Sequence, residues 1–167
     1  MIGIAGIGAL IAGLYGIVHD QITFALSADY FYRLKFVQFR FADFGLPVRV
    51  FVGIIGFLAT WWVGLIAGWL LARVTVKHVE PRRMLALSLR GFGVVLAFAV
   101  LGALAAIAYG VFQMPDRSTS DIAYDAFFLG VADVTAFTRV AYIHNGGYLG
   151  GLAGIITAGI LAAKSAR

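Results

Sequence analysis

The sequence predicts an all-α integral membrane protein: a four-helix transmembrane bundle with an interfacial aromatic segment between spans one and two. Two observations predict it. Four long stretches carry no formal charge: Met1 to Val18, Val50 to Ala72, Gly91 to Met114 and Val140 to Ala163. The composition agrees, with 62% hydrophobic and only 13% charged residues, where an ordinary soluble domain has about a quarter charged. Each stretch is about 18 to 24 residues, or roughly 27 to 36 Å as helix, against a hydrocarbon core of about 30 Å. None alternates strictly as a transmembrane β-strand does, and all are too long for one. The 167 residues therefore read as a single membrane domain with spans over about 1–18, 50–72, 88–113 and 139–163.

Each element has its own justification. The first run lacks a basic leading region, and Ala25-Leu26-Ser27 is poorly placed for cleavage, so it reads as a span and not a signal peptide. From His19 to Pro47 aromatics (Phe24, Tyr30, Phe31, Tyr32, Phe36, Phe39, Phe41 and Phe44) interleave with Arg33, Lys35 and Arg40, a mix suited to the headgroup zone. Glu80-Pro81 marks the second turn, where His78 reads as a solvated residue among basic neighbours. In the third connection Ser118-x-x-Asp121 predicts a capped short helix through Ala126, with Asp121 and Asp125 on its wet face.

Spans one and four are rich in small residues. Ala5, Ala9, Gly13 and Gly16 form one stripe, and Gly146, Gly147, Gly150, Gly151 and Gly154 form overlapping small-xxx-small patterns. Such faces let helix backbones approach closely in lipid, and their presence on both spans points to contact between them. Arg90 reads as snorkelling to the headgroups. Trp61 and Trp62, near the middle of span two, suit packing or a ligand groove.

Sidedness follows from the basic residues. Arg73, Lys77, Arg82, Arg83, Lys164 and Arg167 lie on one side, and Arg33, Lys35, Arg40, Arg49, Arg117 and Arg139 on the other. The count ties, but the short dense cluster from Arg73 to Arg83 favours its own side as cytoplasmic, with both termini inside. The net charge of +5 is thereby assigned to lipid headgroups and topology, not to nucleic acid.

The chain contains no cysteine, which excludes disulfides, thiolate metal sites and iron–sulfur clusters. No phosphate-cradling loop, nucleophile elbow or H-E-x-x-H occurs. What remains is His19-Asp20-Gln21 at the exit of span one and His144-Asn145 just inside span four. Ionisable residues at membrane depth are costly, so they raise a functional-site hypothesis. The outer-rim candidates are His19, Asp20, Asp29, Asp133, Arg139 and His144. Two imidazoles and a carboxylate suit a divalent transition metal, with His19, Asp20 and His144 as ligands and Asp29, Arg139, Asn145 and Gln21 in support. The same set suits acid–base chemistry, or a histidine that only bonds a neighbouring helix. Haem held by His19 and His144 is a sharper variant, but the chain has no second histidine pair for it and no C-x-x-C-H.

Tyr15-Gly-Ile-Val-His-Asp-Gln-Ile-Thr23, Asp29-Tyr-Phe31, Lys35-Phe36 and Gln38-Phe39 resemble a group of small bacterial four-span membrane proteins of unassigned function. So do His144-Asn145 and Tyr148-Leu-Gly-Gly151. The group has a glutamate where this chain has Asp29, which keeps the carboxylate but shortens its reach, and often a serine at Gly147. The resemblance implies a bacterial cytoplasmic membrane and supports a two-motif site, and it supplies no reaction. The expected function is a polar His/Asp site at the outer face that binds a metal ion or small polar ligand. The alternatives are an accessory or assembly subunit that packs with other membrane proteins, and a haem protein or outer-leaflet lipid enzyme.

Overall fold

The computed structural model describes residues 1–113 and 129–167. Among these residues four helices are long and apolar enough to cross a membrane: α1 (Ile2–Leu26), α2 (Val48–Thr75), α3 (Pro81–Gln113) and α4 (Val134–Ala166). They pack as the expected bundle. The short helix predicted from Ser118, with Asp121 and Asp125, lies outside the described residues.

The helices overrun the uncharged stretches at both ends of the membrane. Arg49, Arg73, Arg82, Arg83 and Lys164 all lie in terminal turns, since long basic side chains favour helix and reach the headgroups with the stem still covered. An extension of α1 carries it through His19, Asp20 and Gln21. There the Thr23 hydroxyl folds back and donates to the His19 carbonyl at 3.1 Å, so the polar side chain needs no external partner. Ser27 then turns extended and its hydroxyl accepts the Tyr30 N–H at 3.4 Å, which starts the next segment.

Two antiparallel pairs make the bundle, and glycine makes each pair. On α1 the contact stripe is Ala5, Gly8, Ala12 and Gly16. A Cβ at Gly16 would run into the Gly56 carbonyl, and one at Gly64 into the Gly8 carbonyl. The Thr60 hydroxyl donates to the Ala12 carbonyl at 2.7 Å across the same crossing. On the other pair Gly102 meets Gly146, and Gly150 and Gly154 rest on the α3 backbone at Phe98 and Val95.

This corrects two expectations. The stripe through Ala9 and Gly13 is not the crossing line, because Gly13 lies under the Phe57 ring. The glycine faces of spans one and four do not pack on each other either. Each meets a partner helix that carries small residues at matching heights, which lets the backbones touch; α1 and α4 meet instead through side chains, as His19 and His144 do edge to face.

The two pairs close on each other near that end through Phe24, Phe31, Val52, Phe137 and Val140, and at the far end through Ile4, Leu71, Phe92, Ala158 and Ala162. Between the clusters they stand apart around a cavity of about 740 Å³. The aromatic segment lids it as four short turns: Ala28–Tyr30, a wide π turn over Phe31–Lys35, Phe36–Gln38 and a 3-10 turn over Arg40–Ala42. Tyr30, Phe31, Lys35 and Ala42 are buried, while Tyr32, Leu34, Val37 and Phe41 face outward. The segment is two-faced, as an interfacial element must be.

The crossings give a direct test. Gly16→Val sets a side chain against backbone, so a loss of about 3 kcal/mol is expected, near the top of the range for overpacking. Gly6→Ala, with nothing within 4 Å of the added carbon, should leave unfolding in detergent essentially unchanged.

Candidate metal centre

His19 and Asp20 are adjacent on α1, so their side chains leave the helix about 100° apart. They converge only because the end of α1 faces two partners at once. Asp20 points inward to α4 and the aromatic segment, and His19 points along the cavity. From the other pair, His144 stands on α4 one turn above Tyr148. The three side chains offer ligand atoms that all lie within 4.8 Å of one another.

The hydrogen bonds fix more than proximity. His144 Nδ1 lies 2.9 Å from the Val140 carbonyl. A carbonyl only accepts, so Nδ1 carries the proton and donates. In a neutral ring Nε2 then holds a lone pair, and it faces Asp20 Oδ1 at 3.2 Å. Two acceptors at that distance require something positive between them, either a proton or a metal ion. Orientation of a histidine through a backbone carbonyl on its other nitrogen is the usual arrangement at metal sites.

The remaining valences point the same way. Asp20 is 2% exposed, yet among the described residues its Oδ2 has no hydrogen-bond partner. Its nearest cation, the Lys35 ammonium, is 3.9 Å away, an ion pair too long for a hydrogen bond. A buried carboxylate oxygen left unpartnered is costly. With metal–ligand bonds of about 2 Å, neighbouring tetrahedral ligand atoms stand roughly 3.4 Å apart. The Asp20–His144 pair already meets that spacing, and the half-buried His19 offers its ligand atom within 4.8 Å of the other two.

Aromatic rings hold the histidines in place. Tyr30 stacks on His144 with centroids 4.9 Å apart, and His19 meets His144 edge to face at 4.8 Å. The Tyr15 hydroxyl lies 3.4 Å from His19 Nδ1, which leaves Nε2 for the site. The imidazole contact leaves no gap for a haem macrocycle between the rings. Burial pushes the Tyr30 phenol well above its usual range, with Tyr148 and Asp20 adding to the shift, so it stays protonated. Burial also pulls the Lys35 ammonium below the ordinary lysine value, while Asp20 draws it back up.

The proposed supports fall elsewhere. Gln21 ties α1 to α2: its amide donates to the Arg49 carbonyl at 2.7 Å, and the Arg49 guanidinium donates back to its side-chain oxygen at 3.2 Å. Asp29 accepts the Ala132 N–H at 3.0 Å and so anchors the lid to the start of α4. Asp133 caps α4 by accepting the Ala136 N–H at 2.9 Å. Arg139 and Asn145 are exposed. What the sequence reading missed is Lys35, which it placed among headgroup-facing basic residues. Its signal was position: it falls on the same side of the lid as Tyr30 and Phe31, once the wide turn is known.

No protein-family model, curated protein or solved structure matches the chain. The chemistry therefore rests on this geometry. Because Asp29 acts on the lid, Asp29→Ala is expected to speed hydrogen exchange at the Ala132 amide, with a stability loss of about 1 kcal/mol.

Proposed function

We propose that this chain is a multi-pass protein of a bacterial cytoplasmic membrane that binds a divalent transition metal through His19, Asp20 and His144. The observation that carries the reading is the 3.2 Å approach of His144 Nε2 to Asp20 Oδ1, beside the Oδ2 of the same buried carboxylate, which has no hydrogen-bond partner among the described residues. A dication between them satisfies all three atoms at once, and three protein ligands leave a position open toward the cavity. The basic cluster at Arg73 to Arg83, at the opposite end of the bundle, supports a periplasmic placement of the site. The resemblance to the small bacterial four-span proteins belongs to the same reading, since its two motifs supply the three ligands.

The accessory-subunit alternative draws less support. Small residues through which such a subunit would pack, Gly8, Gly16, Gly146, Gly150 and Gly154, are occupied within the chain by the α1–α2 and α3–α4 crossings.

Elemental analysis of the detergent-purified protein checks the reading. About one metal per chain is expected after incubation with Zn²⁺ or Co²⁺, and Co²⁺ should give a visible absorption band. His144→Ala and Asp20→Asn should lower metal affinity at least a hundredfold; Arg139→Ala and Gln21→Ala should leave it unchanged. A folded chain that takes up neither ion would assign the Asp20–His144 gap to a proton and end the metal reading.

A further inference from the structure

The cavity beneath the site is long, and its two ends differ in chemistry. At the lidded end stand His19, Asp20 and Lys35 with the Tyr15 and Tyr148 rings. Below them the walls are apolar, down to Ile66 on α2 and Ile155 on α4. From His144 to Ile155 is eleven helical steps, so the apolar part runs roughly 16 Å along the bundle axis. Gly147 and Gly151 flatten the α4 wall: a Cβ at Gly151 meets nothing within 4 Å, and one at Gly147 meets only the Ala99 carbonyl at 3.9 Å. These two glycines differ from Gly146 and Gly150, which serve the helix crossing. The lining residues Trp62, Tyr148 and Leu152 are each about half exposed (50%, 51% and 58%), so the cavity opens at the side of the bundle, toward the lipid.

Lys35 is the second observation. It is 4% exposed, and its ammonium makes no hydrogen bond among the described residues. Its ion-pair partner is Asp20 Oδ2 at 3.9 Å, and it lies over the Phe39 ring at 5.9 Å. An ammonium offers three donors, and here they stand at the head of an apolar channel with no acceptor in bonding range among the described residues. Asp20 balances the charge from 3.9 Å without accepting a hydrogen bond, so an anionic oxygen held in the cavity would supply the missing acceptor.

We infer that the cavity binds a single-chain amphiphile, its carboxylate or phosphate head on Lys35 and its hydrocarbon chain laid between the two helix pairs. The head supplies the acceptors that Lys35 lacks, and the chain fills a volume that water would wet poorly. Each methylene buried there is removed from competition with the lipid phase only through shape, so selectivity rests on the head. Binding here stands on Lys35 and the channel, not on the metal; an ion at His19, Asp20 and His144 would add positive charge at the same end and strengthen it.

The test uses the full chain in a nonionic detergent, with Trp61→Phe and Trp69→Phe leaving Trp62 as the reporter. The probes are a stearic acid brominated at mid-chain, its methyl ester, and the matching monoacylglycerol phosphate. Saturable quenching of Trp62 by the acid and the phosphate is expected, at least tenfold tighter than by the ester. Lys35→Met should bring all three to the ester's affinity, and Lys35→Arg should keep the preference. Gly151→Leu, which narrows the channel, should weaken the acid and the phosphate at least tenfold. Inorganic phosphate at millimolar concentration should displace neither, which assigns the site to a lipid head and not to the free ion. Equal quenching by acid and ester, or a preference unmoved by Lys35→Met, would overturn the inference; so would displacement by inorganic phosphate. If Lys35→Met fails to fold, the acid–ester comparison on the unaltered Lys35 still decides it. The His144→Ala variant, which lacks the metal site, should keep the preference for acid over ester that Lys35 sets, so the two readings fail separately.

Discussion

Close backbone contact at glycine sets everything else in this molecule. In lipid there is no hydrophobic penalty for helices to stand apart, so association depends on how near their backbones can come. Gly8, Gly16, Gly56 and Gly64 bring α1 onto α2, and Gly102, Gly146 and Gly150 bring α3 onto α4. Each pair thereby uses its small residues internally. Little is left to draw one pair onto the other, and larger side chains hold them together only at the two ends. The open middle follows from that division.

The polar site sits where the two pairs first touch. Its members come from both halves: His19 and Asp20 from one, His144 from the other, with Lys35 supplied by the lid. The His19 and His144 rings each use one nitrogen within their own helix, on Tyr15 and Val140, and leave the other for the site. A buried carboxylate with one oxygen against a histidine nitrogen and the other without a hydrogen-bond partner among the described residues is costly as a mere packing element. A wide turn at Phe31–Lys35 in the lid supports the same view, since such turns are frequent at functional sites.

Much of this was legible in the chain itself. Four uncharged stretches of membrane length required four helices, and the cost of ionisable groups singled out His19, Asp20 and His144. What the residues did not reveal was pairing. Glycine spacing shows that a helix has a contact face but not which helix meets it, because that depends on matching heights in two sequences at once. The same limit explains Gln21 and Asp29. Both looked like supports by proximity along the chain, and both instead bond backbone far from it, at Arg49 and Ala132. Lys35 was hidden for a further reason: a π turn alters the angular step, so helical periodicity misplaces the residues that follow it.

The division into two tight pairs has a mechanical meaning. Each pair is stiff, because its contacts are backbone on backbone, whereas the seam between pairs is made of side chains. The distance from Asp20 to His144 is thus a gauge of how far apart the halves stand. Whatever fills that gap sets the spread of the bundle. By thermodynamic reciprocity, anything that spreads or squeezes the bundle, including a change in the surrounding bilayer, must alter how tightly the gap holds its occupant.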